Sequence, residues 1–291
     1  MEDFYLAYQS LIAFVGINSL LALSVYATLS CGQLSLANAG FMAIGAYTGA
    51  LLTLHAPQVP FAFVLMASAA LPAIVAVPLG LPVLRLRGVF LAIATIGFGE
   101  VVRLGFVNWD YTEGAIGLVG IPQRTKPWIL WLCVALVVYL LGRLRGSRTG
   151  YALEAIREDE TAARTMGIET TAYKMAMLCL GAAIAGLAGA LEAHFTFIVS
   201  PAGYGFGRVV DMLVQAVVGG TALFIGPVVG ATFLTILPEI LRELGARVGL
   251  APGPFRLFLN GVILLAVILY LPDGIISLPK RLRSSRKRKA A

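Results

Sequence analysis

The stretch FYLAYQSLIAFVGINSLLALSVYATLSCGQLSLANAGFMAIGAYTGALLTLHAPQVPFAFVLMASAALPAIVAVPLGLPVL, residues 4–84, decides the architecture, because these 81 consecutive residues contain no Asp, Glu, Lys or Arg. A helix needs only about 20 predominantly apolar residues to cross the hydrocarbon core of a bilayer, so this run holds several spans placed end to end. Its Gly, Pro and polar clusters divide it into spans at 5–29, 34–54 and 60–84. Working outward, the uncharged runs Val89 to Gly99, Pro127 to Gly142, Met175 to Leu191, Met212 to Pro238 and Leu257 to Pro272 predict spans at 88–107, 128–145, 173–199, 207–222, 225–243 and 255–272. The fold class that follows is an all-α polytopic membrane protein of about nine spans, between eight and ten. The segments 88–107 and 207–222 carry charge at one end and also fit a re-entrant path.

The whole chain agrees with that reading, with 59% hydrophobic and 13% charged residues against roughly 25% charged in soluble proteins. It reads as a single membrane domain over 1–280 and a basic tail over 281–291, with no segment resembling a soluble domain. The tail region Lys280 to Lys289 holds seven basic residues and accounts for the whole net charge of +7, since the other 15 basic and 15 acidic residues cancel. Lys and Arg in short loops stay on the cytoplasmic side. A cytoplasmic tail then puts Arg85, Arg87 and the loop 143–174 inside, giving 15 basic residues inside and 7 outside, with the N-terminus outside. The basic tail fits an anionic lipid surface and not nucleic acid, which would need a folded basic face with stacking aromatics. The acidic N-terminus and the long first apolar run do not read as a cleavable signal peptide.

One island interrupts the apolar text. Arg143 to Lys174 holds 11 of the chain's 37 charges, mixed with apolar residues as in a short amphipathic helix. Its six basic and five acidic residues disfavour a helix lying on lipid, which would be predominantly cationic, and favour a protein partner. Two alanines, Ala162 and Ala163, permit close approach to such a partner, Met166 and Ile168 offer apolar knobs, Arg164 a charge, and Gly167 a left-handed helix end.

Within the first run, Ser30 to Gly40 forms a polar break in which Gln33, Ser35 and Asn38 bring neutral polar groups into apolar surroundings. Such groups can face a pore without the cost of burying charge, or bond to neighbouring helices. After this break comes Ile44-Gly-Ala-Tyr-Thr-Gly-Ala50, and after the break at Gly219 comes Ile225-Gly-Pro-Val-Val-Gly-Ala231. The shared pattern makes Gly45, Gly49, Gly226 and Gly230 candidate helix-packing positions, and it predicts an internally duplicated fold of the kind that places sites at interrupted helices.

Charged residues at the span ends occur at helical spacing, Glu100 with Arg103, Arg208 with Asp211, and Glu239 with Arg242 and Glu243, which predicts local neutralisation and not proton relay. His55 and His194 are isolated, Cys31, Cys133 and Cys179 are scattered packing residues, and no metal site is indicated. The chain has no phosphate loop, no Gly-x-Ser-x-Gly elbow and no His-Glu-x-x-His pair. It therefore reads as non-enzymatic, binding no cofactor, and any ATP it depends on must be bound by another polypeptide. An ATPase-independent channel or ion-coupled carrier would need an unpaired carboxylate or His well inside a span.

Cys31-Gly-Gln-Leu-Ser-Leu36, Gly40-Phe-Met-Ala-Ile-Gly-Ala-Tyr47, Phe90 to Glu100, Gly150 to Gly167, Val218-Gly-Gly-Thr221, Gly226 to Gly230 and Leu271-Pro-Asp-Gly-Ile275 follow one another in an order that resembles the permease subunits of ATP-binding-cassette importers, specifically the M-type subunit of the branched-chain amino-acid class. The resemblance runs from about residue 10 to 278. It implies half of a translocation pathway lined by Gln33, Ser35, Asn38 and Tyr47, paired with a homologous second permease as a heterodimer. It also implies two ATP-binding-cassette subunits carrying ATP and Mg, a periplasmic solute-binding protein, and a place in the bacterial inner membrane. Branched-chain amino acids are the default substrates it implies, with urea and short amides as the alternative. The family's cytoplasmic Glu-Ala-Ala-x-x-x-Gly coupling element maps onto Ala162, Ala163, Arg164, Met166 and Gly167, with Thr161 at the Glu position and Glu160 one place early. The resemblance leaves Glu158, Asp159 and Glu160 as the acidic candidates for the ATPase contact.

Overall fold

A computed structural model describes residues 2–247 apart from 87 and 222, with side chains from 8 to 240. The predicted span 255–272, the basic tail, the motif at 271–275 and the pairing of Glu239 with Arg242 and Glu243 lie outside the described residues. Ten helices make up the described chain: α1 (Glu2–Leu29), α2 (Asn38–His55), α3 (Phe61–Val83), α4 (Val89–Val107), α5 (Pro127–Arg145), α6 (Arg148–Glu158), α7 (Glu160–Thr165), α8 (Thr170–Thr196), α9 (Phe206–Gly219) and α10 (Gly226–Arg247). Two short strands, β1 (Leu118–Val119) and β2 (Ile198–Val199), pair antiparallel.

Five described helices are long and apolar enough to cross a membrane: Tyr8–Leu29 of α1, then α3, α4, α5 and α8. The apolar windows of α1 and α8 are 78% and 61% buried, against 22% for α3 and for α4, so the first pair forms the centre and the second faces outward. α2, outside this set, is largely enclosed: Gly40, Ala43, Gly45, Ala46, Gly49 and Ala50 are all buried. A helix wrapped by other helices needs small residues for close approach and not a lipid-facing skin.

α8 is the spine against which α1, α2 and α3 pack. A Cβ on Gly189 would collide with the Met42 carbonyl of α2, one on Gly186 with the Ser68 carbonyl of α3, and one on Gly181 would lie 2.9 Å from the Ser24 carbonyl of α1. Pro72, Pro78 and Pro82 sit inside α3, which is tolerated in membrane helices where neighbouring groups re-satisfy the freed backbone.

Both halves of the repeated glycine pattern are packing positions with different partners. Gly45 abuts Gly186, and Gly49 abuts Ser68, Ala190 and His194, whereas Gly226 and Gly230 abut Gly219, Gly220 and the Gln215 carbonyl. The second pair thus closes a tight α9–α10 hairpin that turns at Gly220, φ +98.

The loops sort to two ends of the bundle. At one end Gly32 lies against Arg157, Arg157 donates to the hydroxyl of Thr221 at 3.2 Å, and Gly80 near the end of α3 approaches Met175 at the start of α8. At the other, Arg124 donates to the carbonyls of Pro57 and Val59, and β1 pairs with β2. The island 143–174 and the turn at Arg85 therefore share an end, opposite the loop 108–126.

Three expectations change. The segment 207–222 is the 14-residue α9, about 21 Å long at ~1.5 Å per residue, short of a full ~30 Å span. The span drawn from 34 begins at Asn38, leaving 30–37 outside any helix. The island is two helices, α6 and α7, because Ser147 and Asp159 each begin one: the Asp159 carboxylate accepts from the amides of Thr161 and Ala162 at 2.8 and 3.0 Å, an N-cap that stops α6 and starts α7.

Candidate functional site

The break between α1 and α2 collects buried polar groups that have no partner. Gln33, Ser35 and Asn38 are 3%, 2% and 2% exposed. Both amide atoms of Gln33, the hydroxyl of Ser35 and the Asn38 Oδ1 bond to nothing, although the Asn38 amide donates to Ser24 Oγ at 2.9 Å. The backbone here is anchored from a distance, the Leu36 N–H donating to Thr95 Oγ1 of α4 at 3.0 Å. An unmade hydrogen bond on a buried polar group costs about 1–3 kcal/mol, so four such atoms within six residues make this break the candidate site. In this conformation the single chain encloses all three residues and presents none of them on an open face.

Tyr47 stands nine residues further along α2, about 14 Å away at ~1.5 Å per residue. Its ring stacks on Phe106 at 4.0 Å and 14° and approaches Tyr204 at 6.5 Å, while its hydroxyl is unpaired. The expected pathway residues thus divide into an amide and hydroxyl cluster at the island end and an aromatic cluster toward the opposite end. Phe106 in turn stacks on Trp109, 6.4 Å away, in the loop after α4.

At the island, α6 is embedded and α7 is presented. Leu153 and Ile156 are buried, Leu153 joining Ala27, Cys31 and Met177 in an apolar cluster that ties α6 to α1 and α8. Of the α7 residues mapped from sequence, Ala163 is buried, while Ala162 and Arg164 are exposed. Met166 is 83% exposed and Gly167 has φ +84 with open space around it. Glu160 turns inward. Its carboxylate accepts from Lys174 Nζ of α8 at 2.6 Å and from Arg164 at 2.7 Å, and from the Thr170 hydroxyl at 3.3 Å. Partial burial pushes its pKa upward, but Lys174, Arg164 and Thr170 together outweigh that and hold the carboxyl below its ordinary value. Glu160 therefore ties α7 to α8, the exposed Asp159 caps α7, and Glu158 is exposed beside them.

Charged residues nearer the other end form two ion pairs. Glu100 and Arg103 of α4 meet at 2.7 Å, as their spacing requires. Arg208 does not pair with Asp211. Its guanidinium reaches both oxygens of Glu192 on α8, at 3.0 and 2.9 Å, and Asp211 forms no ion pair among the described residues. The i, i+3 spacing brought Arg208 and Asp211 to one side of α9, but the packing of α9 on α8 offered a more enclosed carboxylate. His194 is fully buried, its Nδ1 2.8 Å from the Ala190 carbonyl and its Nε2 2.8 Å from Thr53 Oγ1, which makes it a link between α8 and α2. His55 lies exposed at the end of α2. Among the described residues no group of three His, Cys, Asp or Glu could hold a metal. Burial pushes the Cys31 thiol up to about 12, so it stays a protonated packing group.

The family model for the permease component of branched-chain amino acid transport systems matches residues 7–268. The high-affinity branched-chain amino acid transport system permease protein LivM of Salmonella typhimurium is 31% identical, with 89% of this chain and 67% of that one aligned. LivM of Escherichia coli K12 is 30% identical over the same shares. The autoinducer 2 import system permease protein LsrC of Shigella flexneri is 27% identical over 66% of this chain and 56% of its own length.

Proposed function

Because the chain belongs to the family of permease components of branched-chain amino acid transport systems, we propose that it forms half of the translocation pathway of an importer for branched-chain or related amino acids and couples that pathway, through α7, to separate ATPase subunits. As a multi-pass permease of ATP-binding-cassette type it lies in the inner membrane. The island end then faces the cytoplasm and the loop 108–126 the periplasm, as the distribution of basic residues requires. The partners are a homologous second permease, two ATPases that carry ATP and Mg, and a periplasmic solute-binding protein. This chain binds no cofactor itself.

One observation carries the coupling role. α7 offers Ala162, Met166 and Gly167 outward while its own Glu160 grips Lys174 of α8. A force applied to the exposed side reaches the central helix through a short, fixed connection. Coupling requires contacts that differ between two states, and the break at 30–37, where Gly32 lies against Arg157 of the island and where Gln33, Ser35 and the adjoining Asn38 carry unpaired polar atoms, supplies the element that changes. In alternating access the break is an inner gate, enclosed by the chain in this conformation and wetted when the pathway opens inward.

The test is reconstitution of the complete importer in liposomes, with Gly167→Pro and Arg164→Glu. Proline fixes φ near −65° where Gly167 adopts +84°, and the Arg164 reversal places two carboxylates together at Glu160. Both variants are expected to insert and assemble, hydrolyse ATP, and fail to import. Wild-type uptake by both removes α7 from the coupling path, and substrate uptake by the chain without any ATPase removes the importer reading altogether.

A further inference from the structure

The outward faces of the helices are not alike. Inside its span α3 exposes Phe63, Met66, Ile74 and Leu81, and α5 exposes Leu132, Leu136 and Tyr139, which is what lipid demands. α4 and α9 break that rule. On α4 the exposed stripe of Ile93, Gly97, Val101 and Leu104 is flanked by Glu100 and Arg103, whose side chains are 35% and 29% exposed. Glu100 lies about 16 Å and Arg103 about 21 Å along the ~28 Å helix, so Glu100 stands near the middle of α4 and Arg103 one turn nearer its end. On α9 the exposed stripe of Phe206, Val210 and Val217 includes Asp211, also exposed. The two helices adjoin, for the Arg103 Cδ lies 3.9 Å from where a Cβ on Gly205, the residue just before α9, would stand.

Charge exposed at this depth must meet water or protein and not lipid tails. Gly97, one turn before Glu100, has nothing within 4 Å of its Cβ position, so the α4 stripe is open there.

We propose that the α4–α9 face, centred on Gly97, Glu100, Arg103 and Asp211, is this subunit's wall of the water-filled route, and that Glu100 and Arg103 there receive the ammonium and carboxylate of a zwitterionic amino acid. This rests on the importer reading and names the substrate feature that reading leaves open. At rest the two side chains neutralise each other. When a zwitterion arrives, its ammonium takes over Glu100 and its carboxylate takes over Arg103, and when it leaves the pair closes again. Net charge at the wall stays the same throughout, so no step leaves an isolated charge in a low-dielectric setting. Asp211, without an ion-pair partner among the described residues, adds attraction for the ammonium. A wall that reads both backbone charges is indifferent to the side chain and discriminates against urea and short amides, which carry neither charge.

The experiment uses the complete importer in liposomes, carrying Cys31, Cys133 and Cys179 replaced by alanine and single cysteines introduced as Gly97→Cys, Val101→Cys or, as a lipid-facing control, Leu132→Cys. A charged methanethiosulfonate reagent reacts with the water-exposed thiolate. The expected result is labelling of Gly97→Cys and Val101→Cys about tenfold or more faster than of Leu132→Cys, since only hydrated thiols ionise readily, and slowed by leucine but not by urea. Glu100→Gln and Arg103→Gln are each expected to reduce leucine uptake strongly, and the exchanged double variant Glu100→Arg with Arg103→Glu to recover part of it. Labelling equal to the control overturns the assignment of the wall. Fast labelling without leucine protection, or full uptake by both single variants, overturns the recognition of the zwitterion. With wild-type ATP-driven uptake intact, either result refutes this inference alone. Loss of ATP dependence in the wild type refutes the importer reading, and the inference falls with it.

Discussion

Removing the Glu160 carboxylate should loosen α7 by an amount that the structure allows to be worked out. The carboxylate accepts from Lys174 at 2.6 Å and Arg164 at 2.7 Å, and the Glu160 and Lys174 side chains are 20% and 14% exposed. Arg164, at 51% exposed, is screened by solvent, and such pairs are worth about 0.2–1 kcal/mol. The bond to Lys174 is largely enclosed, in the range of about 1.5–3 kcal/mol measured for hydrogen bonds to charged groups. Glu160→Gln keeps the shape, retains one neutral acceptor, and should cost α7 about 2 kcal/mol of local stability, which is roughly thirtyfold in an opening equilibrium at ~1.4 kcal/mol per decade. Hydrogen exchange at the amides of Ala163, Met166 and Gly167, whose backbone bonds to Asp159, Ala162 and Arg164 close this turn, reads that opening directly. The expected result is exchange about thirtyfold faster in Glu160→Gln, similar acceleration in Lys174→Met, and a double variant no worse than either single one, because residues in direct contact are not additive. Exchange within about twofold of wild type in both single variants, or fully additive effects in the double, would refute the view that this pair fastens α7 to α8.

Three further outcomes follow from the same geometry. Since the Glu160 pKa is lowered in the folded chain, its contribution is complete above the ordinary glutamate value near ~4.3 and declines as pH falls through the lowered folded value. Protection of α7, corrected for intrinsic exchange, should therefore be flat from neutral pH down to about 5 and decline only below about 4. Arg208→Met leaves the enclosed Glu192 carboxylate without the guanidinium nitrogen that reaches both its oxygens and should cost about 3 kcal/mol. A lower midpoint of thermal aggregation in detergent, partly restored by adding Glu192→Gln, checks this, and an unchanged midpoint in the single variant counts against it. Gly45→Val drives side-chain atoms into the Gly186 backbone, where overpacking costs about 1–3 kcal/mol or more. Monodisperse yield on size exclusion should fall, whereas Gly97→Val, in open space, should leave it unchanged.

The membrane class, the helical architecture and the place of the charged island were legible because each depends on composition along a single line of chain. An 81-residue run without charge can be accommodated only in lipid, and 11 charges gathered in 32 residues can only leave it. The glycine pairs at Gly45, Gly49, Gly226 and Gly230 were also readable as packing positions, since a missing Cβ is a property of the residue itself. Capping was legible in principle: Asp159 before a run of good helix formers is an N-cap signal that divides the island into α6 and α7.

What the tertiary structure alone decided concerns partners distant in the chain. Local spacing paired Arg208 with Asp211, but the guanidinium found Glu192, sixteen residues earlier. Glu160, one of three acidic residues that the sequence left open as a partner contact, holds Lys174 of α8, while His194, placed near a helix end, closes a buried contact with Thr53 141 positions away. Sequence also could not say which apolar faces meet lipid and which meet protein, because α3, α4 and α5 are apolar alike and differ in what the packing leaves uncovered. Hydrophobicity is a property each residue carries with it, so one strand of text suffices to read it. Burial and pairing are properties of two segments brought together, and which two meet is settled by how helices fit around the small residues of α8.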